Sequence, residues 1–164
     1  MIEVKITDDM KKKALFKSRE MGTINNSITV GDGNISGFLG ECVANTLIGG
    51  DNKNTYDYDI VKDGITYDVK TKRCTSPPKS FYECSVAAFN TKQRCDRYVF
   101  VRIENVKGQW GRAWVLGWMD KPEYFNRATL LKKGDVDKSN NFTVKADCYN
   151  LKIKDLNQFK GVKK

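Results

Sequence analysis

The sequence predicts an α/β chain of the α+β kind, with a mixed central β-sheet flanked by helices, and three observations carry that expectation. The stretch Tyr56 to Lys72, YDYDIVKDGITYDVKTK, alternates about Asp63-Gly64. This dipeptide is a strong hairpin signal, because a type I′ turn needs φ > 0 at both central positions. Arg97 to Glu104, RYVFVRIE, alternates as a strand. Two segments, one reaching Met21 and one spanning Ile35 to Ile48, have helical spacing and recognisable ends. At 164 residues the chain has the length of one ordinary domain. It contains no internal repeat, linker or low-complexity stretch.

Taken in order, Ile2, Val4 and Ile6 predict a short strand. Thr7 or Asp8 then caps a helix that Gly22 stops, and Asp8 and Asp9 in its first turn suit the helix dipole. Lys11, Lys12, Lys13, Lys17 and Arg19 make this helix basic, which suits either phosphate contact or a solvated face. Ser27 to Val30 is a further short strand and Gly31-Asp32-Gly33 a turn. In the second helix, Phe38, Leu39, Cys42, Val43 and Leu47 form the core stripe, with Glu41 at its edge and Gly49-Gly50 as terminator. Asp51 to Thr55 is a polar loop. Pro77-Pro78 marks an extended loop, and Phe81 to Phe89 a strand. Asn90 to Cys95 has room for a turn or two of helix. Trp110 to Trp118 places Trp110, Arg112, Trp114, Leu116 and Trp118 on one face, either as core or as a platform for unpaired bases. Lys121 to Leu131 is a helix with Pro122 in its first turn, and Phe142 to Ala146 and Tyr149 to Ile153 are short strands.

The Asp63-Gly64 turn fixes a register. Counting outward, Lys62 meets Ile65, Val61 meets Thr66, Ile60 meets Tyr67, Asp59 meets Asp68, Tyr58 meets Val69 and Asp57 meets Lys70. One face then carries Tyr58, Ile60, Ile65, Tyr67 and Val69, and the other Asp57, Asp59, Asp68 and Lys70. Asp59 and Asp68 fall at a non-hydrogen-bonded pair, where side chains are closest and like charges destabilise. A divalent cation between them removes that conflict, and Glu41 on the preceding helix supplies a third acid. Hard cations such as Mg²⁺ take carboxylate oxygen and keep open positions for a phosphate. Lys70 shares the face of Asp68, where its ammonium positions a water or offsets transition-state charge. The competing account is a solvated hairpin face with an ordinary Asp57 to Lys70 ion pair.

Composition narrows the chemistry. Lys plus Arg number 29 against 20 Asp plus Glu, a net charge of +9, which favours a polyanion and above all nucleic acid. With no histidine, the chain has no His-based triad, His-bearing zinc site or imidazole base. Five widely spaced cysteines are neither a disulfide framework nor a zinc ribbon, and reduced thiols imply a cytoplasmic compartment. Met1 to Ile6 reads as a strand rather than a signal peptide, and no apolar run is long enough to span a bilayer, so no membrane partner is expected.

Asp59-Ile60, followed by Asp68-Val69-Lys70 after a tight hairpin and preceded by a helix bearing Gly37-x-x-Gly40-Glu41, resembles the PD-(D/E)XK nuclease superfamily. Tyr58 stands where that pattern nominally has proline. The resemblance implies a restriction-endonuclease-like core: a helix, a three-strand meander, a second helix and a further strand. The motifs cover about residues 36 to 72, Phe81 to Glu104 supplies the later elements, and the two ends of the chain are additions. It also implies that Asp59, Asp68, the Val69 carbonyl and Glu41 bind Mg²⁺, with Mn²⁺ as a substitute, and that Lys70 orients the attacking water. The expected function is a Mg²⁺-dependent deoxyribonuclease leaving 5′-phosphate and 3′-hydroxyl ends. Lys53, Lys62, Lys72, Arg73 and Lys79 would contact DNA phosphates, which position without reading sequence. Many such enzymes act as homodimers so that two strands are cut. The alternative is a non-catalytic nucleic-acid-binding protein on the same fold.

Overall fold

The computed structural model describes residues 1–21, 33–53, 55–137 and 141–160; the strand expected at Ser27 to Val30 and the Gly31-Asp32 turn lie outside them. The chain runs β1 (Ile2–Lys5), α1 (Asp8–Met21), α2 (Gly33–Ile48), β2 (Asp51–Asn52), β3 (Ile60–Lys62), β4 (Ile65–Cys74) and β5 (Glu83–Ala87). A 3-10 turn over Ala88–Lys92 leads to β6 (Arg97–Val106), β7 (Gln109–Asp120), α3 (Lys121–Arg127) and β8 (Thr129–Leu131). The short strands β9 (Val136–Asp137), β10 (Phe142–Thr143) and β11 (Cys148–Lys152) follow, then a 3-10 turn at Ile153–Asp155. This is a mixed α+β fold, as the alternation and helix signals predict.

The main sheet has the order β1-β7-β6-β4-β3-β2. Only the β4 to β6 pair is parallel, and a parallel neighbour requires a crossover, here supplied by residues 75–96. Alternation along β6 sends Val99, Val101 and Ile103 to one face, where they pack with Ile60, Tyr67 and Val69 against Phe38, Leu39, Val43 and Ala44 of α2 and Ala14 of α1. Tyr98 and Phe100 go to the other face, against Cys84, Val86, Tyr124 and Leu151. Both faces are covered, so β6 is apolar along most of its length. The strand predicted over Phe81 to Phe89 forms as β5 but belongs to a second sheet, β5-β11-β8, layered on that second face. Strand periodicity gives a strand and its faces; it does not give its sheet.

The ends of the helices follow their caps. Thr7 Oγ1 accepts the Met10 N–H at 3.2 Å, and α2 closes with the Gly49 N–H on Asn45 O at 2.9 Å. Helix α2 meets β4 at Gly40, where a Cβ would lie 1.8 Å from Thr71 Oγ1. No side chain fits there, and this close approach brings Glu41 to the sheet.

The tryptophan row is not formed. Between the pairs Phe100↔Gly117 and Val101↔Val115 the ladder skips Leu116, and a second shift separates Ile103 from Asn105. An extra residue reverses which face its strand presents. Trp114 and Leu116 therefore join the second core while Trp110 and Trp118 pack against the first, so the tryptophans serve as core, split between two faces, and form no stacking platform. The helix expected over Lys121 to Leu131 ends at Arg127, because its last residues pair as β8 with β11. Among the described residues, no helix is long and apolar enough to cross a membrane.

Candidate active site

The hairpin turn adopts the backbone its sequence demands, with φ of 50° at Asp63 and 78° at Gly64. The predicted pairs Lys62↔Ile65, Val61↔Thr66 and Ile60↔Tyr67 all form. Beyond them the ladder departs from the predicted register. The Asp59 N–H donates to Tyr67 O at 2.9 Å, so Asp59 and Ile60 both face Tyr67, two residues against one as in a bulge. Asp59 is therefore not directly opposite Asp68, and its Oδ2 instead accepts the Val69 N–H at 2.7 Å. Tyr58, beyond the bulge, packs with the second core rather than with Ile60 and Tyr67.

The acids nevertheless crowd one another. Asp68 is 4% exposed and Glu41 7%. Burial, followed by the charges of Asp68 and Glu41, holds the Asp59 carboxyl well above the usual carboxylate range, while the Val69 N–H and Lys70 act the other way. Glu41 is pushed up to about 7, first by burial and also by Asp68, against the opposing pull of Lys17. The buried Oε2 of Glu41 and Oδ2 of Asp68 have no aligned hydrogen-bond donor. Protein cations stand next to both, with Lys70 Nζ 2.6 Å from Asp68 Oδ2 and Lys17 Nζ 3.7 Å from Glu41 Oε2.

Among the described residues no three acid or cysteine side chains stand as a ready-made metal cage. The donor set still fits a hard cation, because its oxygens are carboxylate, repel one another and include two buried ones whose charge is met only by lysine. Rotation of Asp68 away from Lys70 is the local change that would turn an ion-paired cluster into ligands.

Lys70 is held on its other side as well. Its Nζ donates to Gln93 Oε1 at 3.0 Å, and Gln93 Nε2 donates to Tyr56 O at 2.7 Å. The main-chain oxygen of Gln93 accepts from Lys121 Nζ. The ion pair predicted between Asp57 and Lys70 does not form. Asp57 binds Arg94 instead, accepting from its backbone N–H at 3.0 Å and its Nε at 3.2 Å, because the crossover carries Arg94 over this end of the hairpin.

A cleft of about 600 Å³ opens beside Lys70 along the second half of β4, and Lys72, Arg73 and Arg102 line it. Of the five cations expected to meet phosphate, Lys72 and Arg73 thus reach the cleft. Lys53 stands 4.0 Å from Asp51, Lys62 stands 3.6 Å from Asp63 at the hairpin tip, and Lys79 lies over the Phe81 ring. All five cysteines are free, and burial pushes both Cys84 and Cys95 up to about 12, which makes them poor nucleophiles.

No protein-family model and no curated protein matches the chain. Its site is legible only from its own residues. Three of these were not predicted. Lys17 belonged to a basic run with two readings, and Gln93 lies in a polar loop with no periodic signal. Arg102 had one signal, a charge on the strand face shared with Tyr98 and Phe100.

Proposed function

We propose that this chain is a metal-dependent deoxyribonuclease of the PD-(D/E)XK type. One observation carries it: Asp59, Asp68 and Glu41 stand close enough for their charges to oppose one another, beside Lys70, which with Lys72, Arg73 and Arg102 lines a cleft. A second supports it. Helix α2, the hairpin β3-β4 and a crossover to parallel β6 agree with part of the element order the resemblance implies, while the strand expected at Phe81 to Phe89 lies in the second sheet as β5 and a 3-10 turn stands where an α-helix would.

Asp59, Asp68, Glu41 and the Val69 carbonyl would hold Mg²⁺ or Mn²⁺, which when bound polarises the phosphate and eases deprotonation of water. With Asp68 turned to the metal, Gln93 still holds the Lys70 ammonium, so it offers a hydrogen bond in a fixed direction to the attacking water. The water oxygen forms a bond to phosphorus as the bond to the 3′-oxygen breaks, leaving a 5′-phosphate and a 3′-hydroxyl. Lys72 and Arg73 neutralise neighbouring phosphates without reading bases.

Nicking of supercoiled plasmid by purified protein, with and without Mg²⁺, tests this. Activity is expected only with Mg²⁺ or Mn²⁺, and full activity in either Asp68→Ala or Lys70→Ala overturns it. The double tether on Lys70 also suits a nucleic-acid-binding protein in which the acids hold only a structural ion. That alternative predicts salt-sensitive binding and no cleavage with Mg²⁺, Mn²⁺ or Ca²⁺.

A further inference from the structure

We propose that the cleft beside Lys70 is a phosphate-binding pocket in which Lys72 and Arg102 together grip the phosphate adjacent to the one that is cut. The substrate named here depends on the nuclease function proposed above; the site itself stands on separate observations. Lys72 and Arg102 are direct partners in the β4 to β6 ladder, two like charges facing each other. Arg102 is only 8% exposed, yet among the described residues no carboxylate lies within ion-pair distance of it. Its Nη2 donates to Glu83 O at 2.8 Å. A guanidinium has five donors, and none of its other nitrogens is sealed in protein without a partner, so they open on the cleft they line.

The neighbouring acids are committed elsewhere. Glu83 is hydrogen-bonded to Asp137, and its Oε2 accepts from Asn150 Nδ2 at 2.7 Å. Desolvation and then the charge of Arg102 depress the Lys72 ammonium, with Asp137 acting the other way. A buried charge is ordinarily paired. Here the pair is missing from the protein, and an Arg fork beside a Lys is the arrangement that phosphate oxygens satisfy. Ser36, Ser85 and Asn90 line the same cleft, as does Glu83, whose carboxyl is raised by burial and by its hydrogen bond with Asp137. Lys70 and Lys72 lie on one face of β4, about 6.6 Å apart along the strand. That step is comparable with the distance between successive phosphates, so a strand whose cleaved phosphate sits at Lys70 delivers the next one to Lys72 and Arg102.

The test is a metal-free titration of the full chain with inorganic phosphate, followed by amide and side-chain NMR, with wild type, Lys72→Gln, Arg102→Met and Asp68→Ala compared. Wild type and Asp68→Ala should bind phosphate with shifts centred on Lys72 and Arg102, and single-stranded oligonucleotide should displace it. Lys72→Gln, which lies outside both hydrophobic cores, should weaken phosphate at least fivefold and lower the salt slope of DNA binding by about one. Unchanged phosphate affinity in both Lys72→Gln and Arg102→Met overturns the pocket, as do shifts that map elsewhere. Phosphate that DNA does not displace overturns the substrate assignment. If no metal supports cleavage yet phosphate still binds at Lys72 and Arg102, the nuclease function falls and the pocket stands. Cleavage with wild-type phosphate binding in both Lys72→Gln and Arg102→Met gives the reverse.

Discussion

At one end of β4, Asp68 shares buried surroundings with Asp59 and Glu41; four residues on, Lys72 faces Arg102. Both ends crowd like charges, but they are balanced differently. The acidic end has its own cations, Lys70 against Asp68 and Lys17 against Glu41, so the folded chain tolerates it without a ligand. The basic end has no acid within ion-pair distance of Arg102 among the described residues. Lys70 lies between them, held by Asp68 from one side and Gln93 from the other. An internally balanced cluster can exchange its partners for a metal, whereas an unbalanced one invites an anion.

The largest expected effect separates the two ends. Asp68→Ala and Lys70→Ala should each reduce Mg²⁺-dependent cleavage by at least about 10²–10³-fold, the scale of losing one preorganised charged group. DNA binding measured by anisotropy should stay within a fewfold in both. Equal losses of binding and cleavage would mean that the acids act through folding.

Gln93→Leu should lower kcat about tenfold with little change in KM, because it frees Lys70 without touching the cationic cleft. A raised KM with kcat preserved would place Gln93 in substrate binding instead.

Gly40→Ala addresses how Glu41 reaches the acidic end. Forcing a methyl against Thr71 should cost about 1–3 kcal/mol in urea unfolding, and Thr71→Ala should recover part of it. A neutral Gly40→Ala would show that α2 can move off β4 without penalty.

The acidic end should also dominate stability against pH. Glu41 titrates at about 7 in the folded chain and near 4.5 when unfolded, so the folded state binds more protons between those values. Stability is then fully present below about pH 4.5 and falls as pH rises towards 7, on the order of a few kcal/mol. Asp59 acts in the same direction. Thermal melts of metal-free protein should show the fall, Glu41→Gln should flatten it, and Mg²⁺ should raise Tm more at pH 8 than at pH 5. A pH-independent Tm would contradict a crowded acid cluster.

The smallest effect is expected at Lys62, which stands beside Asp63 at the hairpin tip. Lys62→Gln should change DNA affinity less than twofold in the same anisotropy assay, and a larger loss would extend the contact surface beyond the cleft.

Much of the site was legible because local rules set it. Asp63-Gly64 fixed three pairs of the hairpin, the stripe on α2 placed Glu41 at a buried edge, and alternation along β6 sorted Tyr98 and Phe100 from Val99 and Val101. The pairing arithmetic failed at Asp59, where a bulge intervened, and the tryptophan row failed for the same reason in β7. The bulge at Asp59 has no glycine to mark it, whereas the one in β7 falls at Gly117, with φ of 149°, and a bulge reverses the face assignment beyond it.

By itself the sequence determined the α+β class, the turn, the candidate acids, the lysine and the excess of positive charge. Those depend on backbone preferences and side-chain chemistry within a few residues. Only the tertiary structure decided that Arg94 takes Asp57, that Gln93 tethers Lys70, and that Arg102 meets Lys72 over a cleft. These partners are separated by 23 to 37 positions in the chain. Parallel pairing of β4 with β6 and the crossover between them bring them together.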